Sequence, residues 1–311
     1  MPQFAVIDCG TNTFHILIAE PAEGGGFREI YRERKFIKLA ADGIQRIGSA
    51  PYERALQTLI HYAEVIDAHQ VHAVRVSGTA ALRTASNGPD FVREVAEKTG
   101  LRIDVIPGDQ EARLIHLGVK AAILPQQAPW MVMDIGGGSV EFIIANKDGV
   151  QWYQSFPVGV AVMYKQYHLS EPISTTEKEA TRNFLRRELA PLIEALRHHP
   201  VQHLVGAAGT FDVIADVLGQ DHPTPHSATI DLGGFHQLYH RILDADQEQR
   251  HAMPEVPSDR ADMIVVALIL VDFILDLAGI RQLTVSSFSM KEGMLAEMLE
   301  QYEAEVVNGE K

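Results

Sequence analysis

A chain of 311 residues, 46% hydrophobic and 22% charged, carries more apolar side chain than one small core usually organises, so two globular domains are expected. Its 27 Lys and Arg against 41 Asp and Glu leave a formal charge of −14. That argues against a broad basic face for DNA or RNA, yet permits a local cationic focus for a polyanionic ligand. The single cysteine, Cys9, excludes an intrachain disulfide and disfavours a cysteine zinc site. No secretory leader is evident, and the longest apolar run, Met263 to Val271, is too short for a bilayer, so a cytoplasmic protein off the membrane is expected.

Strand-like runs open the chain at Phe4 to Ile7, Phe14 to Ala19 and Phe27 to Arg32. Apolar positions at Tyr52, Leu56, Leu59, Ile60, Ala63 and Ile66 then repeat at three and four and predict a helix. A strand is predicted over Val71 to Val76, a helix over Asp90 to Lys98 and a strand over Leu101 to Ile106. A helix capped by Asp109 begins near Gln110. The prolines of Leu124 to Pro129 interrupt the pattern, which places a boundary there: one domain over 1–125 and a second over 126–293.

In the second half, Met131 to Ile135 reads as a strand, and Ser174 with Glu177 forms a capping box for one long helix through Leu196. Leu204 to Ala207 is a strand entering a turn of small residues. Gly206, Gly209 and Thr210 either line a cleft or let that turn pass close to a helix. Met263 to Val271 reads as a buried helix and Leu283 to Ser287 as a last strand. A final helix over about 294–311 can pack back on the first domain, with disorder expected at Asn308 to Lys311. His198, His199 and His203 read as surface residues, since Pro200 breaks the register that would pair two imidazoles for a metal, and Cys9 reads as a small buried filler. Strands alternating with helices indicate an α/β layer architecture.

Two segments look like one device used twice. Asp8-Cys9-Gly10-Thr11-Asn12-Thr13 and Asp134-Ile135-Gly136-Gly137-Gly138-Ser139 each run from an apolar strand through an aspartate into a turn of glycine and hydroxyl residues, then into another apolar strand. Such a turn can aim backbone N–H groups at a phosphate while the aspartate holds a cation. Either alone is also compatible with a plain β-hairpin; the pair suggests two halves serving one phosphate site. Arg83 offers a planar fork suited to phosphate, although a lone helical Arg is more often solvated. Glu111 lies in a first helical turn, where a carboxylate commonly does no more than favour the helix dipole. Asp8, Asp134 and Glu141 are candidate hard oxygen donors for a divalent cation such as Mg²⁺ or Mn²⁺, and Glu141 could equally be a polar residue on an open strand face.

Asp8-x-Gly-Thr-Asn-Thr, Ala81-Leu82-Arg83 with Asn87, Glu111-Ala112-Arg113, Asp134-Ile-Gly-Gly-Gly-Ser-Val-Glu141 and Lys291-Glu292-Gly293 together resemble the exopolyphosphatase and guanosine pentaphosphate phosphohydrolase family. The resemblance spans nearly the whole chain. It implies two ribonuclease H-like domains of the acetate kinase, sugar kinase, Hsp70 and actin superfamily, with the active site in the interdomain cleft. It also implies Mg²⁺-dependent hydrolysis of a terminal phosphoanhydride, with Glu111 as the catalytic group that activates water. The phosphate would be held by Gly10, Thr11, Asn12, Thr13, Arg83, Gly136, Gly137, Gly138 and Ser139. Thr11 and Thr13 stand where the family commonly has serine, which keeps the hydroxyl. Lys291 stands where arginine is common, which loses bidentate geometry. The chain stops at Lys311, so traits of the long members' C-terminal helical extension are not expected here.

The leading expectation is an exopolyphosphatase acting on inorganic polyphosphate, with guanosine pentaphosphate as the alternative substrate. A polyphosphate-dependent phosphotransferase and a non-catalytic polyphosphate or alarmone sensor are the further readings. A homodimer is compatible with the frequency of two-fold assemblies.

Overall fold

The computed structural model describes residues 1–309. Unit 1 comprises Met1–Gly118 with Met290–Lys311, and unit 2 comprises Val119–Ser289. The division falls earlier than the proline-marked break at 125, inside the helix that spans Gly108–Ala122. The chain also returns to unit 1 at Met290, before the 293 expected.

Unit 1 holds the strands β1 (Phe4–Cys9), β2 (Thr13–Pro21), β3 (Phe27–Phe36), β4 (Ala73–Gly78) and β5 (Ile103–Val105). Its helices are α1 (Ser49–Ala68), α2 (Ala80–Thr84), α3 (Gly88–Thr99) and α4 (Gly108–Ala122). The sheet order is β3-β2-β1-β4-β5: an antiparallel meander followed by two parallel strands. Alternation along β1 sends Ala5, Ile7 and Cys9 into a core with Leu56, Leu59 and Tyr62 of α1 and Phe91 of α3. Burial pushes the Cys9 thiol well above its ordinary range, as suits a packing residue.

Unit 2 holds β6 (Trp130–Ile135), β7 (Val140–Asn146), β8 (Gly149–Phe156), α5 (Val160–Tyr167), α6 (Thr175–Glu188), α7 (Ala190–His198), β9 (His203–Ala207) and α8 (Gly209–Leu218). It continues through β10 (Gly219–Thr224), β11 (Ser227–Ile230), α9 (Leu232–Leu243), α10 (Gln247–Ala252), α11 (Ile264–Ala278) and β12 (Gln282–Ser286). Its sheet order is β10-β11-β12-β9-β6-β7-β8. Read from β8, the first five strands repeat the topology of unit 1, and β11 and β10 extend the far edge. Each unit thus carries a ribonuclease H-like sheet. The almost wholly apolar α11 fills the unit 2 core, as its sequence predicts.

Three local expectations are corrected. The single long helix after Ser174 is two, α6 and α7, because Pro191 in the first turn of α7 lacks the N–H to continue the ladder; the capping box itself forms. Asp109 lies inside α4, accepting a hydrogen bond from the Gln110 amide, because the helix begins at Gly108. His203 is buried in β9, hydrogen-bonded through Nδ1 to Gln126 Oε1 at 3.0 Å and through Nε2 to Thr284 Oγ1 at 2.9 Å, so the surface reading fails for it, while His198 is exposed and His199 half-buried.

The last helix, α12 (Met290–Gly309), starts before the expected 294 and packs on β1 and β2. Tyr302 meets Phe4 edge-on, and Glu297 pairs with Arg75 and Arg113. The helix ends at Gly309, and of the segment Asn308 to Lys311, where disorder is expected, residues 310 and 311 lie outside the described residues.

Candidate active site

In unit 1 the β1–β2 turn is closed by a hydrogen bond from the Gly10 amide to the Thr13 carbonyl at 3.0 Å; in unit 2 the Gly136 amide donates to the Ser139 carbonyl at 3.0 Å. A Cβ at either glycine would lie 2.9 Å from that same carbonyl oxygen, so both turns need glycine for close backbone approach.

Each turn then has its carbonyls taken from outside. The Thr11 carbonyl accepts from the Leu39 amide, and that of Asn12 from Ile37 and Lys38, in the segment after β3. In unit 2 the carbonyls of Gly136, Gly137 and Gly138 accept from Val160, Ala161 and Gly159 at the start of α5. Because a planar trans peptide points its N–H opposite to its C=O, these bonds turn the amides of Asn12 and Thr13, and those of Gly137, Gly138 and Ser139, away from the bracing segment. Such rows of oriented amides are anion-binding concavities. Gly159 permits the bracing, since a Cβ there would sit 2.4 Å from the Gly137 backbone. The Thr11 hydroxyl is buried and makes no hydrogen bond among the described residues, as suits a group that meets a ligand oxygen, whereas the Thr13 hydroxyl lies 3.2 Å from His15 Nε2.

The carboxylates are set by register. Asp134 on β6 stands directly opposite Glu141 on β7, and Glu141 opposite Ser155 on β8. This row lies on the face of the sheet away from Met133, Phe142 and Phe156 of the core. Asp134 is 7% and Glu141 1% exposed, so two acids lie side by side out of water, an arrangement that repels unless a proton or cation sits with it. Ser155 Oγ donates to Glu141 Oε1 at 2.6 Å, and Ser289 Oγ donates to Asp134 Oδ2. The donor set fits a hard divalent cation that keeps several waters. Asp8 belongs to unit 1, between His15 of β2 and Ser77 of β4 in its row. Among the described residues no three Asp, Glu, His or Cys side chains group to hold a metal, so substrate oxygens and water would complete any coordination shell.

Glu111, 7% exposed, projects from the first turn of α4. Arg83 Nη1 donates to the Ile106 carbonyl at 2.6 Å and lies 3.4 Å from Glu111 Oε2. The arginine is therefore anchored on its Nη1 side and stands beside the carboxylate, with its side chain still about a third exposed. Asn87 serves the backbone instead: its amide accepts from the Ile47 N–H and donates to the Ile47 carbonyl. Lys291 Nζ lies 3.0 Å from the buried Glu292, which Arg32 also approaches. Gly206 is explained by packing, because a Cβ there would enter the Phe211 ring.

Sequence reasoning missed Ser155, Gly159 and Ser289. Gly159 follows Pro157-Val158 ahead of an apolar helical pattern and so carried a weak local signal; the two serines carried none, since their role depends on strand register and on a loop far along the chain.

Residues 17–302 match the Ppx/GppA phosphatase family. The protein called Exopolyphosphatase 2 from Mycobacterium tuberculosis, strain H37Rv, is 27% identical over 94% of this chain and 98% of its own length. A crystal structure of an exopolyphosphatase from Cytophaga hutchinsonii superposes with a TM-score of 0.91 at 33% identity, covering 96% of this chain and 98% of that one. The Aquifex aeolicus Ppx/GppA family member gives 0.80 at 25% identity, covering 97% and 98%. With the family match covering residues 17–302, the chain belongs to the Ppx/GppA phosphatase family and is a phosphatase acting on phosphoanhydride bonds.

Proposed function

We propose that this phosphatase releases terminal orthophosphate from inorganic polyphosphate, with Glu111 orienting and deprotonating the attacking water. The observation that carries the reading is the Arg83–Glu111 pair: a carboxylate fixed at a helix start beside an arginine anchored to a main-chain carbonyl. The relatives named exopolyphosphatase from Mycobacterium tuberculosis and Cytophaga hutchinsonii support the choice of substrate.

Phosphoryl transfer needs positioning and charge stabilisation more than covalent help. The water oxygen attacks the terminal phosphorus, its proton passes to Glu111, and the bridging P–O bond breaks to leave a polymer one phosphate shorter. The amides of both turns, the Thr11 hydroxyl and Arg83 bind phosphoryl oxygens. When bound, Mg²⁺ neutralises negative charge on the phosphates, and Asp134 and Glu141 are the residues that would hold it.

The test is orthophosphate release from long-chain polyphosphate, with Mg²⁺ present or chelated, by the parent and by Glu111→Gln. The expected result is release that requires Mg²⁺ and falls ~100-fold or more in the variant, on the scale of general-base catalysis. Equal rates would reduce Glu111 to a helix-start carboxylate. Faster release from guanosine pentaphosphate would move the substrate to the nucleotide, ATP formed from polyphosphate and ADP would make the protein a phosphotransferase, and binding without turnover would make it a sensor.

A further inference from the structure

Asp134 and Glu141 share a feature that their motif does not specify: each accepts a hydrogen bond from a serine hydroxyl brought from elsewhere in unit 2. Ser155 reaches Glu141 because β8 pairs with β7 in the register that sets the two residues opposite. That register is held by Phe156, the next residue, which turns to the other face and meets Phe142 edge-on at 5.9 Å between ring centroids.

Ser289 reaches Asp134 from the short loop after β12, and the loop is built to keep it there. Ser286 Oγ donates to the Phe288 carbonyl at 2.7 Å and accepts from the Phe288 amide at 3.1 Å. The Ser287 amide donates to the His226 carbonyl at 2.9 Å, and the His226 ring stacks on Phe288 with centroids 4.1 Å apart. The β10–β11 turn thus clamps residues 286–288, and the hydroxyl of the next residue falls on the carboxylate.

We infer that Ser155 and Ser289 are positioning residues that hold Glu141 and Asp134 in the rotamers that receive the divalent cation. The physical reason is rotamer restriction. A carboxylate on a strand can swing about two torsions. A hydroxyl on one of its oxygens fixes the plane of the group and so the direction in which the other oxygen faces. Neutral donors suit this role, because an arginine or lysine there would compete with the cation for the negative charge. The inference rests on the cation reading of this carboxylate pair given above.

The experiment compares the parent with Ser155→Ala, Ser289→Ala and Ser155→Thr, the last keeping a hydroxyl on a side chain that suits a strand. Mn²⁺ binding to each full-length protein is measured by electron paramagnetic resonance without substrate, and orthophosphate release from polyphosphate is titrated with Mg²⁺. Both alanine variants should bind Mn²⁺ ~10-fold or more weakly and need correspondingly more Mg²⁺ for half-maximal rate, the scale expected when a ligand's outer partner is lost. At saturating Mg²⁺ their kcat should fall less than ~3-fold, and Ser155→Thr should restore parental affinity. Thermal unfolding by circular dichroism without metal separates this from a packing role. Lower stability with parental Mn²⁺ affinity overturns the inference and leaves the cation reading standing, as does a kcat loss with parental affinity. If the parent neither binds Mn²⁺ nor requires Mg²⁺, the cation reading fails and the inference falls with it.

Discussion

The two aspartate turns share a backbone and differ in what surrounds them. In unit 1 the row across the sheet runs His15, Asp8, Ser77; in unit 2 the matching row runs Glu141, Asp134, Ala207. One sheet therefore sets a histidine beside its aspartate, and the other a second carboxylate. The bracing differs as well: the unit 1 turn leans on an irregular segment through Ile37, Lys38 and Leu39, while the unit 2 turn leans on the first amides of a helix. Repetition of a fold has thus kept the amide cradle in both halves and left the acid pair in only one. On the function proposed above, the difference teaches that anion binding by such a turn would reside in its main chain, whereas cation binding would depend on which side chain the neighbouring strand supplies.

That contrast can be broken most directly at the aspartates. If the cation belongs to the carboxylate pair, Asp134→Asn should raise half-saturating Mg²⁺ by ~100-fold or more, beyond the usual cost of losing an outer partner. Asp8→Asn should shift it less than ~5-fold on the same scale while lowering the rate. Equal shifts in the two Mg²⁺ titrations would show that Asp8 shares the ion and that the difference between the rows is incidental.

The turns themselves come next. Gly136→Ala should lower kcat by roughly 100-fold, the effect of misplacing a reacting group by about an ångström. Gly10→Ala should cost roughly 10-fold, because the unit 1 turn is braced by an irregular segment, whereas the unit 2 turn is braced by a helix start packed on glycine main chain. Steady-state kinetics decides the order, and a larger loss at Gly10 would reverse the claim that the helix-braced turn is the stiffer.

The smallest effect concerns the strands that carry the unit 2 site. Burial pushes the imidazole of His203 down to about 4 from its ordinary 6.5, so the folded protein holds it neutral where the unfolded chain takes up a proton. Its contribution to stability is present above pH 6.5 and is lost as pH falls toward 4. Between pH 7 and pH 5 the loss is about 2 kcal/mol. Urea unfolding at the two pH values should show this loss in the parent and little of it in His203→Asn; an equal loss in both would assign the acid sensitivity to other groups.

How much was legible in the sequence varies with the range of the interaction. The α/β alternation, the apolar α11 and the capping box of α6 were readable because propensity, periodicity and caps are set within a few residues. The single helix expected after Ser174 was misread because Pro191 also fits a first helical turn, where its missing N–H costs nothing, so it begins a new helix. His203 was misread as a surface residue because its burial is decided by β6 and β12 pairing on either side of β9, neither of which is near it in the chain.

For the site, the sequence by itself determined the glycine turns, the aspartates that precede them, Arg83, and Glu111 at a helix start, since each is a contiguous motif whose chemistry is written in residue type and spacing. Only the tertiary structure decided that Arg83 is anchored on the Ile106 carbonyl, that Glu141 is buried against Asp134 rather than open to solvent, and that Ser155 and Ser289 converge on those acids. Strand register and loop closure join residues far apart in the chain, and the free energy that selects them comes from burying the opposite face of the sheet, so it leaves no local mark on the serines themselves.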